Sequence, residues 1–291
     1  PFTTREDLRK SYPYDMFAVP LRDIVRIHST SGTIGRPIVV GYTRSDLRNW
    51  TECAARLFIA AGITEHDVVQ IALDYSIFAE GFGFHQGAEQ IGASVISASL
   101  TTSVEKQIIL LKDFKTTVLI STPSHAANIA SGIEELRVHP EGLHLRLGIF
   151  CGERWGESLR QQLENRLRIL SMDSYGITEI MGPGIAGECS FRQGLHINED
   201  HFIAEVIDPK TLAPVEAGQV GELVLTTITK EGFPLIRYRT GDMTTINPLP
   251  CPCGRTFVRM SRVTKRSDDL ILFRGVGFFP SQIEEILLAV E

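Results

Sequence analysis

Short apolar runs alternate with amphipathic segments along the first part of the chain. Two segments, 45–61 and 105–114, repeat apolar residues three and four positions apart, which is the spacing of one helix face. We expect the first helix to begin after an N-cap at Thr43 and to end at Gly62. Apolar runs typical of buried strands lie at 68–73, 93–96, 117–120, 145–150 and 168–172. Strands that alternate with helices favour a parallel sheet covered by helices, so the pattern predicts an α/β fold.

After residue 199 the pattern changes to short strands separated by turn residues. The predicted strands are 202–207, 221–227, 235–238 and 243–246, and the turns contain Asp-Pro, Ala-Gly and Gly-Phe-Pro. We therefore expect an α/β core over 1–199 and a β-rich subdomain over 200–265. The polar residues 265–269 are expected to form a connector.

The composition is that of an ordinary globular protein. The 291 residues are 43% hydrophobic and 22% charged, and the formal net charge of -6 without a basic cluster argues against a nucleic-acid partner. No apolar run approaches the ~20 residues of a membrane helix, and no signal peptide is recognisable, so we expect a cytoplasmic protein without a membrane partner. The chain starts without Met and stops inside an amphipathic segment, so we expect a fragment at both ends.

A loop rich in glycine and hydroxyl groups precedes the first long helix. Glycine lets backbone N–H groups approach an anion, hydroxyls add donors, and arginine adds a forked positive charge, a combination suited to phosphate. The residues are Thr30, Ser31, Gly32, Thr33, Gly35 and Arg36. Their spacing is not that of a Walker loop. A plain turn between two strands explains the same composition equally well.

Three later segments add groups that a bound nucleotide requires. The turn 151–153 follows a predicted strand, where ligands collect in parallel sheets. Tyr175 and Glu179 offer an aromatic ring and a carboxylate that suits Mg²⁺, and Asp242 suits the two hydroxyls of a ribose. Taken singly, the same residues can be a core aromatic, a first-turn acid of a helix and a turn residue.

Together, and in this order, the motifs resemble a known family. The runs TSGTIGRP, DSYGITE, YRTGD and KRSDDLILFRGVGFFPSQIEE are similar to those of the acyl-adenylate-forming ligase superfamily, and most closely to its phenylacetate–CoA ligase branch. The resemblance covers essentially the whole chain. It implies a large adenylate-forming domain of α/β layers with a β-rich subdomain, and a hinge with the start of a truncated C-terminal lid over 266–291.

The resemblance also implies a role for each motif. The glycine- and hydroxyl-rich loop would hold the β- and γ-phosphates of ATP, although the family usually has Thr at Ile34 and Lys at Arg36. Thr178 would contact the α-phosphate and Glu179 would bind Mg²⁺, and together with Arg36 they would form the catalytic set. The remaining nucleotide contacts would be made by Gly152, Glu153, Asp173, Tyr175, Gly176, Asp242 and Arg266, with Asp268 as the hinge.

The acyl slot is expected between the segment 75–87 and the residues after Glu179. Its aromatic side chains would be Tyr75, Phe78, Phe82 and Phe84, which suit an aromatic carboxylic acid. Each phenylalanine can equally belong to the core side of a helix. Relatives tend to carry small residues where Glu80 stands, so Glu80 would shrink or polarise the slot. The expected substrate is an arylacetate or benzoate-type acid. The hypothesis includes acids that carry an amino or hydroxyl group.

The five cysteines indicate free thiols or a metal site, not a disulfide framework. Cys251 and Cys253 are separated by one residue, and Cys189 precedes His196 by a short loop, so these four can form a closed tetrahedral zinc site. The alternative is that the thiols are free and His196 is a surface or pocket histidine. Cys53 and Cys151 are interpreted as packing thiols.

The resemblance implies an ATP- and Mg²⁺-dependent ligase that adenylates an aryl acid and passes the acyl group to coenzyme A. One alternative is an adenylating ligase with an amine or a carrier-protein thiol as acceptor, and another is a non-catalytic nucleotide-binding domain. Relatives are often homodimers. If the chain ends at Glu291, it lacks the lid lysine of the family, and we expect nucleotide binding with strongly impaired adenylation.

Overall fold

The computed structural model describes residues 1–30, 36–77, 79–263 and 265–267, together with the backbone of two short strands at 271–273 and 276–278. The α-helices of these residues are α1 Arg5–Lys10, α2 Arg44–Ala61, α3 Glu80–Gln90, α4 Val104–Asp113, α5 Pro123–Glu135 and α6 Glu157–Leu167. In this part of the chain no helix is long and apolar enough to cross a bilayer.

The strands fall into a first group along the α/β region and a second group after it. The first group is β1 Arg26–Ser29, β2 Val39–Tyr42, β3 Val68–Ala72, β4 Ser94–Ser97, β5 Val118–Ser121, β6 Leu147–Phe150, β7 Leu170–Ile177, β8 Gly182–Glu188 and β9 Leu195–Ile197. The second group is β10 Phe202–Ile207, β11 Gly221–Thr227, β12 Tyr238–Thr244, β13 Ile246–Asn247, β14 Arg259–Met260, β15 Lys265–Arg266, β16 Ile271–Phe273 and β17 Val276–Phe278.

The largest sheet has nine strands in the order β13-β14-β9-β8-β7-β6-β5-β3-β4. Strands β4, β3, β5, β6 and β7 pair in parallel, which confirms the predicted α/β fold. Beyond β7 the sheet continues with antiparallel pairs. Strand β7 is long enough to serve both halves, since Phe150 pairs with Asp173 on one side and Ser174 pairs with Gly187 on the other.

Helices cover both faces of the parallel part because its strands are apolar on both faces. In β5, Val118 and Ile120 pack beneath α2 and α3, whereas Leu119 packs with the layer formed by α4, α5 and α6. Helix α2 begins as predicted, with the Thr43 hydroxyl accepting from the Asp46 backbone N–H, and it ends at Gly62 with φ of +84°. The parallel strands, including β6 and β7, therefore lie between two layers of helices.

The second sheet is antiparallel, in the order β10-β11-β12-β15. Strands β10 and β11 coincide with their predicted bounds. The prediction of two strands at 235–238 and 243–246 is wrong, because one strand, β12, runs without a break from Tyr238 to Thr244. The strand that precedes the hydroxyl-rich loop is short, since Leu21–Asp23 is a 3₁₀ turn and β1 starts at Arg26.

Candidate nucleotide-binding site

A cavity of about 650 Å³ opens at the carboxyl ends of β6 and β7 and reaches across to β12 and β15. Parallel sheets bind ligands at this edge. Seven of the residues assigned to the nucleotide from the sequence line this cavity, namely Gly152, Glu153, Asp173, Tyr175, Gly176, Asp242 and Arg266. Segments that lie far apart in the chain therefore meet around one space.

The turn after β6 forms one wall of the cavity. Gly152 has a φ of +79°, a conformation that favours glycine, and this turns the chain sharply away from the strand. The Glu153 carboxylate accepts hydrogen bonds from the backbone N–H of Ser124 at 3.0 Å and from its hydroxyl at 2.6 Å. Glu153 thus ties the turn to the start of α5, a partner that sequence reasoning did not identify.

Asp173 is held by an arginine that the sequence did not single out. Its carboxylate accepts from Arg262 Nε at 3.0 Å, and the guanidinium of Arg262 lies 4.4 Å from the ring centroid of Trp155. The backbone N–H of Asp173 donates to the buried carboxylate of Glu188 at 2.8 Å. These contacts fix the Asp173 backbone and side chain at the cavity wall.

Tyr175, Asp242 and Arg266 form one hydrogen-bonded group that lines the cavity. The Tyr175 phenol donates to Asp242 Oδ2 at 2.7 Å, and Arg266 Nη1 donates to Asp242 Oδ1 at 3.0 Å. Burial and the Asp242 charge raise the pKa of the Tyr175 phenol well above its usual value, so the phenol stays protonated and donates. The Tyr175 ring lines the cavity.

Gly176 and Thr178 lie where β7 turns into β8. A Cβ at Gly176 would lie 2.2 Å from the carbonyl oxygen of Gly182, so a side chain there would force the two strands apart. A small cavity of about 20 Å³ begins here and is lined by Gly176, Thr178, Gly152 and Glu80 among others. Gly152 and Gly176 line the large cavity as well, so the two spaces are adjacent.

Glu179 is almost fully buried and has two partners among the described residues. Its Oε1 accepts from Arg5 Nη2 and from the Tyr238 phenol, each at 3.3 Å. Arg5 belongs to α1, 174 positions earlier in the chain. Nothing in the local sequence connects these two residues, and sequence reasoning missed the pair.

The described ends of the hydroxyl-rich loop can be placed. The Thr30 hydroxyl accepts from the backbone N–H of Ile38 at 3.0 Å and so helps to close the base of the loop. Arg36 is exposed, and its guanidinium lies 5.8 Å from the ring centroid of Tyr12. Some residues singled out from the sequence lie outside the described part of the chain: Ser31, Gly32, Thr33, Ile34, Gly35, Phe78 and Asp268.

The aromatic residues assigned to the acyl slot separate into two groups. Tyr75 and Phe82 pack edge to face with centroids 5.4 Å apart, and the Tyr75 hydroxyl lies 3.3 Å from His85 Nδ1. Phe84 is fully buried and stacks on Phe58 at 5.8 Å in the core beneath α2. Of the two roles that the sequence left open for Phe84, the structure therefore supports core packing, because Phe84 lies on the side of α3 that faces the core.

The four predicted zinc ligands lie together at the edge of the large sheet. Their ligand atoms all lie within 4.8 Å of one another. Cys189 Sγ is 3.7 Å from Cys251 Sγ, and Cys253 Sγ is 3.4 Å from His196 Nε2. The other ring nitrogen of His196 lies 3.3 Å from the carbonyl oxygen of Phe257. Cys53 and Cys151 are buried elsewhere, and burial raises the pKa of both thiols.

Comparison with known proteins gives consistent results. The family model described as AMP-binding enzyme matches residues 4–229. Phenylacetate-coenzyme A ligase of Pseudomonas putida is 46% identical over 292 residues, and the alignment covers 100% of this chain and 66% of that protein. The enzyme of the same name from Thermus thermophilus is 44% identical and is covered over 65% of its length. The chain thus spans somewhat less than two thirds of these relatives.

A crystal structure with the same fold is that of a 2-hydroxyisobutyryl-CoA ligase in the postadenylation state in complex with R3-HIB-AMP. It superimposes with a TM-score of 0.91 at 28% identity, over 99% of this chain and 62% of that one. The parallel strands, the antiparallel extension and the second sheet therefore belong to one established architecture.

Proposed function

The chain belongs to the AMP-binding enzyme family, and from this premise we propose that it is the nucleotide- and acid-binding part of an AMP-forming acid–CoA ligase. Two relatives named phenylacetate-coenzyme A ligase, at 46% and 44% identity, support the resemblance found in the motifs. The proposed substrates are ATP, coenzyme A and an aryl or arylacetic acid similar to phenylacetate. The convergence of Asp173, Tyr175, Asp242 and Arg266 on one large cavity is the observation that carries the proposal.

The proposed reaction has two steps. A carboxylate oxygen of the acid forms a bond to the α-phosphorus of ATP, the bond from that phosphorus to the β-phosphate bridge breaks, and pyrophosphate leaves. The thiol sulfur of coenzyme A, having lost its proton, then bonds to the acyl carbon as the bond to AMP breaks. Both steps develop negative charge on oxygen, so fixed donors contribute more than a protein nucleophile would.

The residues around the cavity suit the binding of a nucleoside. A carboxylate is an acceptor only, and the Asp242 carboxylate is oriented by Tyr175 and Arg266 so that it can accept from ribose hydroxyls. The Tyr175 ring offers a flat face to the purine. Asp173, oriented by Arg262, is a suitable acceptor for the exocyclic amino group of adenine. Thr178 lies at the entrance to the small cavity, where its hydroxyl can donate to the α-phosphate.

Glu179 fits the metal that this reaction requires. Mg²⁺ prefers oxygen ligands and is commonly held by one or two carboxylates together with substrate phosphates. When bound, Mg²⁺ offsets the charge that develops on the phosphate oxygens. The Glu179 side chain is 5% exposed and forms an ion pair with the Arg5 guanidinium at 3.3 Å. A cation can therefore lie beside the Glu179 carboxylate.

The cluster of Cys189, His196, Cys251 and Cys253 fits a structural zinc ion. Two sulfur ligands at the usual Zn–S length of about 2.3 Å lie about 3.8 Å apart on a tetrahedral centre, close to the separation found here. The Phe257 carbonyl can accept from the second ring nitrogen of His196 and so aim the first at the thiols. The ion would connect β9 to the 251–253 turn and leave no open position for catalysis.

An acid panel tests the proposed function. AMP release is measured with the complete gene product, ATP and Mg²⁺ for phenylacetate, benzoate and their amino- and hydroxyl-substituted forms, with and without coenzyme A. Release that depends on both an acid and coenzyme A supports the proposal. Release with hydroxylamine or a carrier protein but not with coenzyme A would indicate another acceptor. No release with any acid would refute ligase activity for the protein tested.

A further inference from the structure

Glu80 places a carboxylate in the small cavity that adjoins the large one. It is the first residue of α3, and its Oε1 would lie 3.1 Å from a Cβ placed on Gly152. The small cavity that Glu80 lines is shared with Gly176 and Thr178. Because Thr178 is the proposed contact of the α-phosphate, this cavity is where the chain of the acid leaves its reacting carboxylate.

The surroundings of Glu80 are unfavourable for a charged carboxylate. Burial and the negative charges of Asp74 and Glu153 raise its pKa, and the neighbouring lining residue Cys151 is a buried neutral thiol. Among the described residues, no hydrogen-bond donor or cation pairs with the Glu80 carboxylate. The Glu80 side chain is half-buried, and its carboxylate lines the small cavity without a partner from the described protein residues.

A role at the helix start does not explain the orientation either. An acid in the first turn of a helix is favourable through the helix dipole, but that effect is equally available to a side chain in solvent. Glu105 also lies in the first turn of its helix, α4, and is exposed. Glu80 instead faces the cavity, and the missing partner can be supplied by what enters the cavity.

We propose that Glu80 determines substrate specificity by pairing with a hydroxyl or amino group that the acid carries one or two carbons from its carboxyl group. This inference rests on the proposed ligase function and narrows its substrate class. The position of the donor follows from the lining of the small cavity, which brings Glu80 next to Thr178, the proposed contact of the α-phosphate. An acid without a donor would leave the Glu80 carboxyl unpaired.

Matched pairs of acids test the inference directly. The kcat/KM for AMP formation is measured with phenylacetate against its α-hydroxy form, mandelate, and with benzoate against 2-aminobenzoate. Sites built to hydrogen-bond a substrate group discriminate strongly against the analogue that lacks it. We expect the preferred donor-bearing acid to exceed its unsubstituted partner by about tenfold to a hundredfold in the wild-type protein.

Variants separate recognition from folding. Glu80→Ala should lose the preference for the donor-bearing acid, while kcat/KM for the unsubstituted acid is maintained or rises. Glu80→Gln keeps an acceptor oxygen and should retain part of this preference. Glu105→Gln, the matched first-turn control in α4, should leave the preference unchanged. ATP affinity, measured by calorimetry, should be the same in all four proteins, because Glu80 lines the small cavity and is not among the residues that line the large one.

The outcomes are distinguishable from failure of the ligase proposal. If the wild-type protein forms AMP with the unsubstituted acids and shows no donor preference, the Glu80 inference is wrong and the ligase function stands. Equal losses for both members of a pair in Glu80→Ala would assign Glu80 a structural role and also overturn it. If no acid supports AMP formation, the ligase function fails and the Glu80 inference falls with it.

Discussion

The phenol of Tyr175 donates a 2.7 Å hydrogen bond to Oδ2 of Asp242, across 67 positions of sequence. This bond joins the end of the parallel half of the large sheet to the second sheet, because Tyr175 lies in β7 and Asp242 in β12. Arg266 holds the other oxygen of the same carboxylate. The carboxylate is therefore oriented before a nucleotide binds, which reduces the ordering cost of binding.

Substitution of the two partners should affect binding and stability differently. Asp242→Asn should weaken ATP binding about tenfold to a hundredfold, because an acceptor for the ribose is lost. Tyr175→Phe keeps the ring and should weaken binding less, while it lowers the free energy of unfolding by about 1–3 kcal/mol through loss of a bond to a charged group. Calorimetry measures the ATP affinity, and urea unfolding measures the free energy of unfolding.

Tyr14→Phe, at an exposed position, is the control and should change neither quantity. Unchanged ATP affinity in Asp242→Asn would contradict the placement of the ribose.

The ion pair between Arg5 and Glu179 should compete with Mg²⁺. Arg5 is 39% exposed in its side chain, so the pair is partly screened, and Arg5→Gln should lower the free energy of unfolding by about 1 kcal/mol without Mg²⁺. With Mg²⁺ the loss should become smaller, because the metal can replace the guanidinium beside Glu179. Unfolding midpoints across a Mg²⁺ titration measure this. Lys10→Gln removes an equal charge from the exposed side of α1 and serves as control. Parallel Mg²⁺ responses of wild type and Arg5→Gln would exclude the competition.

The cysteine cluster should hold about one equivalent of zinc per chain. Cys251→Ser or Cys253→Ser should lower zinc content and the thermal midpoint together, since the ion links β9 to the 251–253 turn. Cys53→Ala removes a buried thiol outside the cluster and should leave the zinc content unchanged. Elemental analysis of protein that is purified without added metal measures the zinc content. Less than half an equivalent in the wild-type protein would end the zinc proposal.

A buried lysine should make stability depend on pH. Lys230 is 5% exposed, its Nζ lies 3.4 Å from the ring centroid of Tyr42, and burial lowers its pKa to about 7 from 10.5, an effect that Asp46 partly opposes. Between these values the unfolded chain binds the extra proton, so this group makes the free energy of unfolding rise with pH, by at most about 1.4 kcal/mol per pH unit.

Lys230→Met removes this dependence. The variant should be more stable than wild type near pH 7, and its advantage should shrink toward pH 10.5. Urea unfolding at several pH values measures the difference between the two proteins, in which the other titrating groups cancel. Lys210→Met, at an exposed position, is the control. A difference between wild type and Lys230→Met that stays constant with pH would show that Lys230 is charged throughout.

Local signals predicted a large part of the fold. The cap formed by Thr43 and Asp46 and the buried strands β3, β5 and β6 follow from short-range pattern and capping chemistry. Strand β12 was divided in the prediction because Gly241 and Asp242 have the composition of a turn, and only pairing with β11 and β15 extends the strand through them. The pairing of β14 with β9 brings residues after 246 back to the large sheet, and no local pattern in the sequence indicates this long-range pairing.

The site residues were likewise predictable where the signal is local and missed where the contact is long-range. Asp173, Tyr175 and Asp242 lie in recognisable motifs, and the structure brings them together. Arg5 and Arg262 were missed because their partners lie 174 and 89 positions away, and an isolated arginine carries no local signal of an ion pair. The domain division, the cytoplasmic location and a homodimer stay predictions.

Transfer of an oxygen isotope tests the central claim most directly. If the acid attacks the α-phosphorus of ATP, one carboxylate oxygen stays with AMP when the thioester forms. With the acid labelled in both carboxylate oxygens as ¹⁸O, mass spectrometry should find one ¹⁸O in each AMP formed and none in pyrophosphate. Label in inorganic phosphate, together with ADP, would show activation through an acyl phosphate and would contradict the account.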